Sequence, residues 1–138
     1  MATTVRRVEY AYLTVANRAG QAAHILEALR DAHIDLLAFS GFPQGRNKAQ
    51  LDVVTDDIAG LKAAARRHKW KLSRTKRAFL VQGTDEIGAA LPPVTRLAGA
   101  KINVIAAEVV AAGAGRFGML FWVAPRDYSR AAKLLAAS

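Results

Sequence analysis

One stretch of this chain occurs twice, and that repeat limits the folds open to it. Asn17-Arg18-Ala19-Gly20 and the twenty residues after it return 68 positions later, where Gly88 ends Asp85-Glu86-Ile87-Gly88. Leu29 then answers to Leu97, Ala32 to Ala100, Ile34 to Ile102, Asp35 to Asn103 and Leu36 to Val104. Each copy reads as a polar turn, a helix and an apolar strand. A unit repeated once within 138 residues implies two small copies of one supersecondary structure, not one large core.

The local patterns fill in the unit. Arg7 to Ala16 alternates as a strand, with Ala11, Leu13 and Val15 on one face and Tyr10, Tyr12 and Thr14 on the other. Asn17 is a candidate N-cap, since its side-chain oxygen can accept a backbone N–H of the first helical turn. The helix predicted from about Gly20 to Ala32 has an apolar stripe of Ala22, Ile25, Leu26 and Leu29. Ile34 to Phe42 reads as a strand buried on both sides. Phe42-Pro43-Gln44-Gly45-Arg46-Asn47 is a turn, and Lys48 to Thr55 returns as a strand. Asp56 and Asp57 open a second helix, where acids suit the positive end of the dipole. The first copy closes with a strand over Lys69 to Arg74, and the second begins at Thr75 with Phe79 and Val81 inward.

Two departures mark the second copy. Pro92-Pro93 falls where its first helix should run, so that helix is expected to start late, near Leu91, or to bend. After a helix from about Arg126 to Ala137 the chain stops, leaving no closing strand. That edge is left open, filled by Lys69 to Arg74, or filled by another subunit. Strand sharing or dimerisation is favoured, because an open edge is a liability.

Composition excludes several chemistries. With no cysteine, there are no disulfides, thiolate metal sites or cysteine nucleophiles. No secretory signal or membrane-length apolar run is found, and a cytoplasmic protein is the default expectation. Net charge is +9, and no acid lies between Asp57 and Asp85. That window holds Lys62, Arg66, Arg67, Lys69, Lys71, Arg74, Lys76 and Arg77. Such a strip can attract phosphates, but a solvated, solubilising face is the favoured reading.

Strand, helix, strand, strand, helix, strand with an Asn-x-x-Gly turn after the first strand resembles the ACT domain family. The residues carrying the likeness are Asn17-Arg18-Ala19-Gly20, Leu26, Leu29 and His33-Ile34-Asp35-Leu36. In the second copy they are Asp85-Glu86-Ile87-Gly88, Leu97 and Lys101-Ile102-Asn103-Val104. The resemblance implies an α+β protein of two tandem ferredoxin-like βαββαβ modules, residues 1–74 and 75–138, the second lacking its closing strand. It implies a non-catalytic sensor whose ligand, an amino acid, sits between two modules. By position it nominates Asn17, Arg18, Ala19 and Gly20 with Asp35 and Leu36, and Asp85, Glu86, Ile87 and Gly88 with Asn103 and Val104. The family turn has proline where this chain has Ala19, and Asp-Glu-Ile stands in the second copy for Asn-Arg-Pro.

Helix starts suit this role, because their amides can meet a carboxylate while Asp85 holds an ammonium. Against it stands simple capping by Asn17 and Asp85. His24, His33 and His68 have no partner at metal-ligand spacing, Ser40 and Ser129 have no visible base, and no phosphate loop is present. No catalytic residue, metal or cofactor is therefore assigned. Tyr10, Tyr12 and Trp122 on a ferredoxin-like sheet could stack RNA bases, but burial is the favoured use of these rings. The leading expectation is a regulatory protein that binds an amino acid and forms a homodimer or higher homo-oligomer. The alternatives are a ligand-free scaffold for protein association and, more weakly, a basic nucleic-acid-binding protein.

Overall fold

A computed structural model describes residues 3–138. The described residues form an α+β structure with six strands and four helices, and all strand pairs described below are antiparallel. The chain divides into two compact units. The first is Glu9–Lys76; the second joins the residues up to Val8 to Arg77–Ser138.

The first unit holds most of β1 (Thr4–Ala16), then α1 (Gln21–Asp31), β2 (Ala38–Pro43), β3 (Lys48–Val54) and α2 (Ile58–His68). β3 pairs with β1 from Tyr10↔Val54 to Ala16↔Lys48, and with β2 from Ala38↔Val54 to Pro43↔Ala49. Alternation sends Ala11, Leu13, Leu51 and Val53 to the face where Ile25, Leu29, Leu61 and Ala64 of the helices pack. Burying each of the larger side chains stabilises the unit by about 1.5–3 kcal/mol. Asp57 caps α2, its Oδ1 accepting the Gly60 N–H at 2.9 Å.

The expected strand over Ile34 to Phe42 is shorter than predicted. β2 begins at Ala38 and is an edge strand, its last three residues exposed. Ahead of that point Leu37 N–H donates to the Val54 carbonyl at 2.8 Å, and the Asp35 carbonyl accepts the Thr55 hydroxyl at 2.7 Å. Lys69 to Arg74 is not a strand either. Trp70 and Leu72 pack against the first unit's core, and Ser73 hydrogen-bonds to β1. Its N–H donates to the Tyr12 carbonyl at 2.8 Å, and its hydroxyl accepts the Tyr12 N–H at 2.9 Å.

The second unit contains β4 (Lys76–Thr84), α3 (Leu91–Gly99), β5 (Val104–Gly113), β6 (Arg116–Val123) and α4 (Tyr128–Leu134). A 3-10 turn, Pro125–Asp127, precedes α4, where one longer helix is expected from sequence. β6 lies between β4 and β5. Phe79 stacks between Phe121 (5.1 Å between ring centres) and Tyr128 (4.4 Å). The buried Tyr128 hydroxyl donates to the Ala78 carbonyl at 3.0 Å, which satisfies the one polar atom of that ring. Helix α3 starts at Leu91, so the two prolines occupy its first turn, where a missing N–H costs no helical bond.

The beginning of the chain packs into this unit. Val5 packs on its core, Ser138 N–H donates to the Val5 carbonyl at 3.0 Å, and Arg7 N–H donates to the Ser138 carbonyl at 2.9 Å. Gly83 permits the close approach: a Cβ there would meet Thr3 Oγ1 at 2.7 Å. Thr3, Val5 and Arg7 thus pack on the second unit, for which Lys69 to Arg74 was one of the sequence-based candidates.

The repeat extends to backbone detail. Left-handed residues recur at the same 68-residue spacing: Gly20 and Gly88, His33 and Lys101, Gly45 and Gly113, Asn47 and Gly115. Each helix ends in the same way. After α1, His33 N–H bonds Arg30 O and Ile34 N–H bonds Leu29 O; after α3, Lys101 bonds Ala98 and Ile102 bonds Leu97. Lys69 and Trp70 do this after α2, and Ala136 and Ala137 after α4. This is the Schellman motif, built here on His33, Lys69, Lys101 and Ala136 at φ between 52° and 60° instead of on glycine.

Candidate functional site

The two polar turns are built alike. In the first unit Asn17 N–H donates to the Asn47 carbonyl at 3.0 Å, tying the turn to the β2–β3 hairpin. In the second, Asp85 N–H donates to the Gly115 carbonyl at 2.9 Å, the same bond displaced by 68 residues. Gly20 (φ 91°) and Gly88 (φ 78°) then take the positive φ that lets the chain double back into a helix. Nothing lies within 4 Å of where a Cβ would stand on either glycine. All eight turn residues, Asn17 to Gly20 and Asp85 to Gly88, are exposed, and Ile87 is wholly so.

Asn17 is not the N-cap. Gly20 occupies that position, and α1 has no side-chain cap; Ala90 is the N-cap of α3, again without a side-chain bond. The physical reason is spacing. Asn17 stands three residues ahead of the cap, so its oxygen is outside the reach that satisfies the second or third helical amide. Among the described residues neither Asn17 nor Asp85 makes a side-chain hydrogen bond. Both residues are exposed, Asn17 three residues and Asp85 five residues ahead of the N-cap of the helix that follows.

The other nominated residues are separate from the turns within each unit. Asp35 is exposed, and Leu36 packs on the first core; Asn103 is exposed, and Val104 packs on the second. They follow the C-terminal ends of α1 and α3, whereas the turns precede the N-terminal ends. The eleven residues of α1 span about 16 Å, so one unit does not bring its own turn and its own Asp35 together.

A cavity of about 390 Å³ in the second unit is lined by Thr4, Val5, Pro92, Pro93, Arg96 and Ser138, among others. None of the twelve nominated residues lines it. Arg96 is committed there, its Nη2 donating to the Leu134 carbonyl at 2.8 Å. No sequence motif marked this cavity, because it forms where both ends of the chain meet α3 and Ala89 ahead of it.

The basic strip is a solvated face. Seven of its eight cations are exposed, and none pairs with a described acid. Lys76 lies 5.8 Å from the Tyr12 ring centre, and Arg77 lies 4.1 Å from that of Tyr128. Tyr10 and Trp122 are buried and Tyr12 half-buried, which removes the exposed platform that base stacking requires. No cluster of metal-ligating side chains is found among the described residues. No described helix is long and apolar enough to cross a membrane.

Solved structures share this fold. A protein of Bacteroides thetaiotaomicron superimposes with a TM-score of 0.76 at 13% identity, over 97% of this chain and 88% of its own. The regulatory subunit of aspartate kinase from Thermus thermophilus, in a ligand-free form, gives 0.68 at 11% identity, over 99% and 95%. That from Thermus flavus gives 0.56 at 16%, over 98% and 94%. The fold is that of the ACT-domain regulatory subunits of aspartate kinase. At these identities the likeness is one of architecture. No family model matches the chain, and no curated protein matches it. Both Thermus chains are regulatory subunits, and their length is nearly that of this chain.

Proposed function

We propose that this chain is a non-catalytic regulatory protein of two ACT modules, residues 1–74 and 75–138, which binds a small polar ligand of the amino-acid class and associates as a homodimer or higher homo-oligomer in the cytoplasm. One observation carries the reading: the matched turns, each with an exposed polar side chain, a left-handed glycine and an uncapped helix start. Free amides at the start of α1 favour a carboxylate, whereas Pro92 and Pro93 leave α3 without them, and the Asp85 carboxylate complements an ammonium. Asp35-Leu36 and Asn103-Val104 would complete a site only when supplied by another module, since each lies at the far end of its own helix. Binding would then stabilise one arrangement of modules over another, which is how a ligand shifts an equilibrium.

A thermal-shift screen over the standard amino acids tests this. A ligand at about 100 times its Kd contributes roughly 2.7 kcal/mol to the folded state. Absence of stabilisation by any of them would remove the sensor reading. It would favour a ligand-free scaffold, to which Ala19 and Pro92-Pro93 already point, since both depart from the family turn and helix.

A further inference from the structure

Within the basic strip, the exposed cations Lys62, Arg66, Arg67, Lys69, Lys71 and Arg74 belong to the first unit. We propose that they form a docking surface for the phosphate backbone of a nucleic-acid duplex, bound without regard to base sequence. The surplus charge of the chain is concentrated here. Eight of its 20 lysines and arginines lie between Asp57 and Asp85, where there is no acid. The other twelve stand against 11 acids, which leaves a surplus of only one from the total of +9.

The fold itself does not call for this charge. Helices α2 and α4 are equivalent: Leu61, Ala64 and Ala65 are buried in one, and Tyr128, Ala131 and Ala132 in the other. Left-handed Lys69 ends the first as left-handed Ala136 ends the second. Each of these pairs is 67 residues apart. At that spacing Lys62, Arg66, Arg67 and Lys69 answer to Ser129, Lys133, Leu134 and Ala136, so four cations stand where α4 has one. Cations suit the negative end of a helix, but only within its last turn. That accounts for Arg66, Arg67 and Lys69, and it leaves Lys62, Lys71 and Arg74 without a structural reason. Lys62, Arg66 and Lys69 follow the i, i+4, i+7 spacing and share one flank of α2, over a rise of about 10 Å. Lys71 and Arg74 carry the charge on past the helix.

The strip selects its partner by what it lacks. Protein interfaces are anchored by aromatic and apolar side chains and are poor in lysine, whereas three of these six cations are lysines. The one aromatic residue beside them, Trp70, stacks on His68 at 5.1 Å between ring centres and packs against the core. An anionic membrane surface needs an apolar face next to the charges, and that of α2 is buried in its own unit. A single strand needs aromatic platforms for its bases. A duplex needs only cations over its phosphates. Each phosphate neutralised on B-DNA adds about 0.9 to the fall of log K with log salt, so three to five contacts give a slope of about −2.7 to −4.5. Raising salt from 50 to 200 mM should then weaken binding about 40- to 500-fold.

Fluorescence anisotropy of a short labelled DNA duplex, titrated with the full chain across that salt range, is the experiment. Binding with the slope above is expected, and equally for two duplexes of unrelated sequence. A triple variant, Lys62→Ala, Arg66→Ala and Lys69→Gly, should bind at least tenfold more weakly, with the slope reduced by about 2.7 and an unchanged circular dichroism spectrum. Glycine is used at position 69 because it takes the φ of 60° there without strain. A second triple variant, Arg46→Ala, Arg126→Ala and Lys133→Ala, removes the same charge from exposed positions elsewhere and should stay within about twofold of the unaltered chain. Absence of binding at 50 mM salt overturns the proposal. So does an equal loss in both variants, since net charge alone would then be responsible. Polyglutamate or phosphatidylserine vesicles competing as well as unlabelled duplex at equal charge would overturn it too, in favour of an acidic protein or a membrane. None of these results bears on the amino-acid screen, so the two readings stand or fall separately.

Discussion

Replacing Asn17 by alanine separates a binding side chain from a structural one. Asp57 is the internal standard, because it caps a helix of the same length with a 2.9 Å bond to Gly60. Losing such a cap costs about 1 kcal/mol. With an unfolding entropy of about 2.1 cal/mol/K per residue, 138 residues turn that into a fall of roughly 3–4 °C in Tm. Asn17 makes no such bond and is exposed, so Asn17→Ala should stay within about 0.5 kcal/mol, under roughly 2 °C. Asp85→Ala should behave likewise. The assay is calorimetry of the ligand-free chain, backed by urea titration, with Asp57→Ala alongside. The ligand-bearing arm repeats it with the amino acid found in the screen, and Asn17→Ala should then lose most of the added stabilisation. If Asn17→Ala drops the ligand-free Tm as far as Asp57→Ala, the side chain is holding the helix start. The argument that it is presented for binding then fails.

Four further outcomes are expected. Gly20→Ala and Gly88→Ala should each cost about 1–2 kcal/mol by urea titration, all of it backbone strain, since no atom crowds the added methyl. Glycine at His33, Lys69 or Lys101 should raise stability by about 1 kcal/mol, because those residues hold a left-handed conformation at the Schellman position. Phe79→Ala should cost about 3–5 kcal/mol, since the ring is fully buried and stacked on two others. Tyr128→Phe should cost about 1 kcal/mol, measured the same way, by leaving the Ala78 carbonyl without its partner.

The α+β class and the paired turns were legible because duplication repeats whatever the local signal leaves ambiguous. Pro92-Pro93 correctly pointed to a late start for α3, since proline is tolerated in a first turn. Helix ends were harder to read. Their left-handed residues are histidine, lysine and alanine, and the usual glycine signal is missing at all four. The N-cap was misassigned because Asn17 has the right chemistry at the wrong spacing. Lys69 to Arg74 has alternating character, yet tertiary packing of Trp70 and Leu72 overrides it. The role of Val5 depends on a contact 133 residues distant in sequence, which no local pattern reports. The identity of a ligand is set by side-chain contacts across modules, and no single turn encodes that.

The unequal edges of the two halves bear on how far assembly can go. A duplicated chain whose edges were both bare would carry two adhesive ends, and head-to-tail addition could lengthen into a fibre without limit. Here Pro43 and a six-residue length blunt β2, while β5 stays long and uncovered. Pro43 has no N–H to offer an incoming strand, so the end of β2 is the less receptive of the two borders.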